Sequence, residues 1–212
     1  MRTFLEPSRR PLSPAEQRAL RMRIASLRAH DRRSRRGTVA IAALTTALLW
    51  VATLLASDSP WTIVTAFWLV AGSAIGLWSY RSQGSGSRHM LGGLQSALTR
   101  NEADVYDVRA QAFAAVDEYE DEGALYAFAL GDDRMVWIAG QEFYEERRFP
   151  CLDFTLVYPL TEGNTPAWMM MERRSAKVAP AFTLPSQFRE RRDAPEHLEV
   201  WRREWGRVSL QS

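Results

Sequence analysis

Two uncharged, apolar runs, residues 38–57 and 61–80, are separated only by Asp58, Ser59 and Pro60. Twenty helical residues cover about 30 Å, the hydrocarbon thickness of a bilayer. The pattern therefore predicts a transmembrane helical hairpin. Bulk composition conceals it, because 46 % hydrophobic residues and a slightly negative mean hydropathy would pass for an ordinary soluble protein. No ionisable side chain interrupts either run. Pores, proton relays and coupled transporters place such groups inside the membrane, so two clean helices describe an anchor.

The charges divide by region. Residues 1–37 carry eleven arginines against Glu6, Glu16 and Asp31, whereas residues 91–212 carry fourteen basic and twenty-one acidic side chains. A basic arm thus offsets an acidic domain. Within the arm (1–37), Ser13-Pro14-Ala15-Glu16 reads as a capping box with proline at the first helical position. Leu20, Ile24 and Leu27 follow at helical spacing among Arg18, Arg21, Arg23 and Arg28, which makes a basic amphipathic helix. It leads into Arg32, Arg33, Arg35 and Arg36, the expected contacts for anionic lipid headgroups. Nucleic-acid binding is disfavoured, since the arm lacks interleaved aromatics. A twin-arginine export signal at Arg35-Arg36 is disfavoured too, because a second full-length apolar run follows at once.

Basic residues flanking a span stay on the cytoplasmic side. Eleven arginines precede the first run, Arg81 and Arg88 follow the second, and the connection holds only Asp58. Both chain ends are expected in the cytoplasm, in a multi-pass protein of a bacterial inner membrane. Trp61, Trp78 and Tyr80 suit headgroup depth, while Trp50 and Trp68 fall deeper than an interfacial belt explains. Ala43 and Ala47 on one helix, and Gly72 and Gly76 on the other, are small residues at four-residue spacing. They serve close packing within the hairpin, with homodimerisation as the alternative.

Residues 81–89 are Gly/Ser-rich and read as a flexible linker. Residues 90–212 are long enough to bury a core of their own. Met90 to Leu98 carry a helical stripe with Asn101 as a left-handed stop, and the stretch from Ala103 leans towards strand. Leu125 to Leu130, Gly131-Asp132-Asp133 and Met135 to Ile138 read as a β-hairpin. Phe154 to Tyr158 and Trp168 to Glu172 read as further strands, and Pro180 and Pro185 mark an edge. Leu198, Trp201 and Trp205 predict a closing helix over 194–205. The expected class is an α+β membrane protein: a transmembrane α-helical hairpin, then a small antiparallel β-sheet or partly closed barrel with flanking helices.

The turn Glu120-Asp121-Glu122-Gly123, the step Gly140-Gln141-x-x-Tyr144 and the turn Phe149-Pro150-x-x-Asp153-Phe154 resemble the cytoplasmic domains of uncharacterised bacterial two-span membrane proteins. The resemblance implies a β-rich domain and assigns no catalytic residue. Glu118, Glu120, Asp121 and Glu122, together with Glu142, Glu145 and Glu146, form two acidic stretches. Their plain reading is a solvated interaction surface; the alternative is a divalent-cation site in a membrane-anchored enzyme. Cys151 is the only cysteine, which excludes an intramolecular disulfide. As a nucleophile it would need a base, and His30, His89 and His197 fall in the arm, the linker and the predicted closing helix. No phosphate loop, nucleophile elbow or metal-spaced histidine cluster occurs, so no cofactor is implied. The expected function is a membrane-anchored cytoplasmic interaction or regulatory module with a protein partner. Its arm is expected to contact the acidic domain in a salt-sensitive way.

Overall fold

In the computed structural model the chain divides into a helical unit (13–101 with 161–167) and a β unit (1–12, 102–160 and 168–212). The structure describes residues 3–56, 60–82, 85–117, 123–144, 148–189, 194–202 and 205, with backbone alone at 35, 79–82 and 85–87.

The helical unit contains α1 (Pro14–Ala56), α2 (Trp61–Ser82) and α3 (Ser85–Arg100). The capping box forms: the Ser13 N–H donates to Glu16 Oε2 at 2.6 Å, and the Glu16 N–H to Ser13 Oγ at 3.3 Å. What differs from expectation is continuity. The amphipathic helix and the first apolar run are one helix of 43 residues, unbroken at Gly37. A single glycine costs a helix only about 1 kcal/mol, which the surrounding Arg, Ala and Leu outweigh. The apolar stripe of α1 is also occupied. Leu20 and Ile24 on α1, and Leu94 and Ala97 on α3, are all buried where these two helices pack together. Gln17 Nε2 donates to Asn101 Oδ1 at 2.8 Å, so α3 runs antiparallel to α1. Helix also covers most of the expected flexible linker, since α2 reaches Ser82 and α3 begins at Ser85. Packing along Leu94 and Ala97 overrides the weak propensity of its serines and glycines. Asn101 stops α3 at φ 57°.

Both α1 and α2 contain a segment long and apolar enough to cross a membrane. Their large side chains face outward: Ile41, Leu44, Leu48, Leu55, Phe67, Leu69, Val70 and Trp78 are among those exposed.

The β unit is built from two sheets. Its strands are β1 (Thr3–Phe4), β2 (Ser8–Pro11), β3 (Glu102–Arg109), β4 (Ala112–Val116), β5 (Ala124–Gly131), β6 (Arg134–Gly140), β7 (Asp153–Pro159), β8 (Met170–Arg173), β9 (Phe182–Leu184) and β10 (Glu199–Arg202). One sheet has the order β1-β10-β6-β5-β4-β9 and is mixed, because β9 joins β4 in parallel. The other, β2-β3-β7-β8, is antiparallel. Neither closes into a barrel: the mixed sheet ends at β1 and β9, the antiparallel sheet at β2 and β8. The expected purely antiparallel sheet is therefore corrected to a mixed and an antiparallel pair.

The β5–β6 hairpin turns at Asp132 and Asp133, both left-handed (φ 51° and 54°), as a two-residue turn requires. Residues on β5 and β6 alternate between two buried clusters. Tyr126, Phe128, Val136 and Ile138 pack with Phe154 and Leu156 of β7, whereas Leu125, Ala127, Met135 and Trp137 pack with Leu184 and Phe188. These strands are buried on both faces, which accounts for their unbroken apolar runs.

Two more expectations are corrected here. The first residues of the basic arm are strands of this unit: β1 pairs with β10, and β2 pairs with β3. Where a closing helix is expected over 194–205, the described residues up to Arg202 hold β10 instead, inserted between β1 and β6, and residues 203 and 204 lie outside the described residues. Leu198 adopts φ 63° and redirects the chain into the sheet. Val200 then joins the cluster between the sheets and Trp201 the outer one, a period of two that the spacing 198, 201, 205 disguises.

Candidate functional site

In the helical unit, Arg32, Arg33 and Arg36 are exposed on α1 just before the apolar segment, and Arg35 is described by its backbone alone. The hairpin is cross-linked by its two deep tryptophans. Trp50 Nε1 donates to Thr65 Oγ1 and Trp68 Nε1 to Thr53 Oγ1, both at 3.1 Å. Each threonine hydroxyl in turn donates to a carbonyl one turn earlier, Thr65 to Trp61 and Thr53 to Leu49, both at 2.7 Å. Each Oγ thus accepts from an indole while its proton serves its own helix. These contacts give both tryptophans, which an interfacial belt does not explain, polar partners within the hairpin. The signal in the sequence was the mirrored spacing Trp50-x-x-Thr53 and Thr65-x-x-Trp68.

The four small residues divide. A Cβ on Gly72 would lie 2.5 Å from Thr46 Cγ2, so Gly72 is where the helices approach closely. Gly76 has nothing within 4 Å of where a Cβ would stand, and Ala43 and Ala47 are exposed. Ala43, Ala47, Trp50, Trp68, Gly72 and Ser73 line a cleft of about 470 Å³.

In the β unit, Gly123 and the described residues of the other two stretches that carry the resemblance meet at one corner. Gly123 is left-handed (φ 89°), and a Cβ there would lie 2.6 Å from the Gln141 nitrogen. From Gly140 the chain enters a 3-10 turn, Gln141–Phe143, whose Phe143 ring centre is 6.1 Å from that of Phe149. Phe149, ahead of a cis Pro150, also packs edge-on against Tyr126 and Phe154. Ser175 Oγ accepts from the N–H groups of Leu152 and Asp153, and Arg174 clamps Asp153 and Asp107 at 2.8 Å each. Thr155 Oγ1 donates to the same Asp107 oxygen, and this bond, with help from Arg174, lowers the Asp107 pKa.

Glu142 is exposed on the 3-10 turn. Glu118, Glu120, Asp121, Glu122, Glu145 and Glu146 lie outside the described residues. Among the described residues, no group of three or more His, Cys, Asp or Glu is placed to hold a metal ion. Cys151 is buried, its Sγ 3.7 Å from the Asp153 carbonyl, and burial pushes its thiol pKa up, away from nucleophilic use.

His197 takes a part that its sequence position concealed. Its Nδ1 accepts from the Ala139 N–H at 3.2 Å, and its Nε2 lies 2.7 Å from Tyr158 Oη. With Nδ1 committed as acceptor, the neutral ring carries its proton on Nε2 and donates to the tyrosine. The imidazole stacks on Phe143 at 5.2 Å. Burial lowers its pKa to about 4. The Tyr158 phenol is raised, first by burial and then by the charges of Glu142 and Tyr106. This pair links β6 to β7 across the two sheets and serves the fold.

No family model matches the chain, and no curated protein or solved structure shows significant similarity to it. The fold and these sites define an α+β protein with two apolar helices and a two-sheet β unit.

Proposed function

We propose that the chain is an integral protein of a bacterial inner membrane, whose α1 and α2 cross as a hairpin and whose β unit is a cytoplasmic interaction or regulatory module for a protein partner. One observation carries this reading: the belt of exposed large apolar side chains on α1 and α2 between Val39 and Trp78. A contiguous apolar surface of that kind is tolerated only against lipid or another apolar body. The strand pairings bear on sidedness. Ser8 pairs with Val105 and Thr3 with Val200, so segments from before and after the hairpin complete one β unit and must share one side. An even number of crossings satisfies that requirement. Arginine before the first run and after the second favours the cytoplasmic side, where Arg32, Arg33 and Arg36 meet anionic headgroups.

Accessibility labelling tests the proposal, and the buried Cys151 keeps background low. In intact cells an impermeant maleimide labels Ser59→Cys but reaches Ser26→Cys only after permeabilisation. The reverse pattern, or release of the chain from membranes by high salt without detergent, overturns the reading.

A further inference from the structure

The arginines of α1 stand at two heights. At 1.5 Å per residue, Arg32, Arg33 and Arg36 lie within about 8 Å of Gly37 along the axis, whereas Arg28 and Arg21 lie about 14 and 24 Å away. The membrane surface potential decays over a Debye length of about 8 Å at physiological salt, so the second set stands clear of it. Arg21 and Arg28 flank a groove of about 390 Å³ between α1 and α3, floored by Ile24, Ala25 and Leu98 and edged by Gln95 and Thr99. Both arginines are exposed, and neither has an ion pair or side-chain hydrogen bond among the described residues.

We propose that this groove docks an acidic helix of a partner protein, an inference that rests on the membrane reading and supplies the partner's chemistry. Charge complementarity selects the occupant. Residues seven apart on a helix are separated by about 10.5 Å along its axis, so a second helix laid in the groove presents carboxylates at i and i+7 to Arg21 and Arg28. Its residues at i+3 or i+4 then meet the apolar floor of Ile24, Ala25 and Leu98, and Gln95 and Thr99 offer hydrogen bonds along one side. Among the described residues no aromatic lines the groove, which leaves nucleic-acid bases without a stacking platform. Headgroups do not reach it, because α1 runs unbroken from the groove to the apolar segment.

The test uses the full chain in phosphatidylcholine nanodiscs and a fluorescent alanine-rich helical peptide with Glu at i and i+7 and Leu at i+3 and i+4. The peptide binds, and its Glu→Gln version does not. Replacing Arg21→Gln and Arg28→Gln together weakens binding by about twofold to thirtyfold, the yield of two exposed ion pairs. Ala25→Glu, which keeps both arginines, weakens it as well, and Arg32→Gln with Arg33→Gln leaves it unchanged. Equal affinity for the wild type and the Arg21/Arg28 variant overturns the proposal. So does tighter binding of a single-stranded oligonucleotide of equal charge, or binding that requires phosphatidylglycerol. Failure here with the maleimide pattern intact removes the groove and leaves the membrane hairpin standing.

Discussion

The two units place similar side chains in opposite ways. Around Trp137, Phe128 and Phe154 the β unit turns its large apolar residues inward, and all three are fully buried. On α1 and α2, Leu48, Phe67 and Val70 are more than half exposed. In the β unit, water drives the collapse. On the proposed membrane reading lipid surrounds the hairpin and that driving force is absent, which leaves close packing and a few polar contacts between the helices to hold it. Gly72 against Thr46 and the Trp–Thr pairs are contacts of that type.

The largest expected effect tests this contrast. Phe128→Ala removes a ring that contacts Phe113, Phe149 and Phe154. It should cost about 3–5 kcal/mol in chemical unfolding of the β unit. Leu48→Ala should change the stability of the detergent- or lipid-embedded hairpin by less than about 0.5 kcal/mol. Comparable losses at both positions would mean that Leu48 packs against protein. Second in size is Gly72→Val. Thr46 Oγ1 donates to the Ala42 carbonyl at 2.8 Å, which holds that side chain where the new Cβ must go. We expect a loss of about 1–3 kcal/mol in hairpin association, with Gly76→Ala close to neutral. A larger effect at Gly76 would point to a second copy of the chain packed there.

Which parts of this were legible follows from how local each determinant is. The capping box at Ser13 and Glu16, the stop at Asn101 and the Asp132-Asp133 turn act over two to four residues, and each can be read directly. β1 and β2 could not be. Ser8 meets Val105 only because the helical unit returns the chain, and nothing within Thr3–Pro11 indicates a partner so far along. β10 is disguised because Leu198, Trp201 and Trp205 satisfy a helical period, while its actual neighbours, Val136 and Met135, lie more than sixty residues away. At the candidate sites, single residues were visible and pairings were not. Gly72 was identifiable as small, yet only the register of two helices shows that Thr46 faces it. The expected contact between arm and acidic domain is present, as strand pairing accompanied by the Arg9–Asp104 ion pair, a combination that spacing and net charge do not specify.

His197 supplies a pH-dependent test of the β unit. Its folded-state pKa of about 4 lies below the ordinary histidine value of 6.5, so the unfolded chain takes up a proton that the folded chain refuses. Stability from this group is therefore complete above pH 6.5 and is lost as pH falls from there towards 4. The wild-type melting temperature should drop across that window. His197→Gln should flatten the slope while lowering stability at pH 7, because the Tyr158 contact is altered. An unchanged slope would place the ring in water.

Smaller effects are expected between the helices. Trp50→Phe and Trp68→Phe each remove one interhelical hydrogen bond, and such bonds average about 0.6 kcal/mol in membranes. The two sites share no partner, so the double variant should lose the sum. Energies well above that, or strong coupling, would mean that the cleft rearranges when either indole is lost.

The smallest expected effect separates charge from strand pairing at the β2–β3 edge. Arg9 Nε donates to Asp104 Oδ1 at 2.9 Å, and the Arg9 side chain is 51 % exposed. Pairs this open contribute about 0.2–1 kcal/mol and fade with salt. Asp104→Asn should lower stability by no more than that, and the difference from wild type should shrink as salt rises. The β2–β3 ladder should persist throughout, read as hydrogen-exchange protection of those β2 amides that point at β3. Loss of that protection in Asp104→Asn, or in the wild type at high salt, would mean that electrostatics alone secures the first residues. The contrast between a β unit held by packing and a hairpin held by sparse polar contacts would then fail at its N-terminal edge.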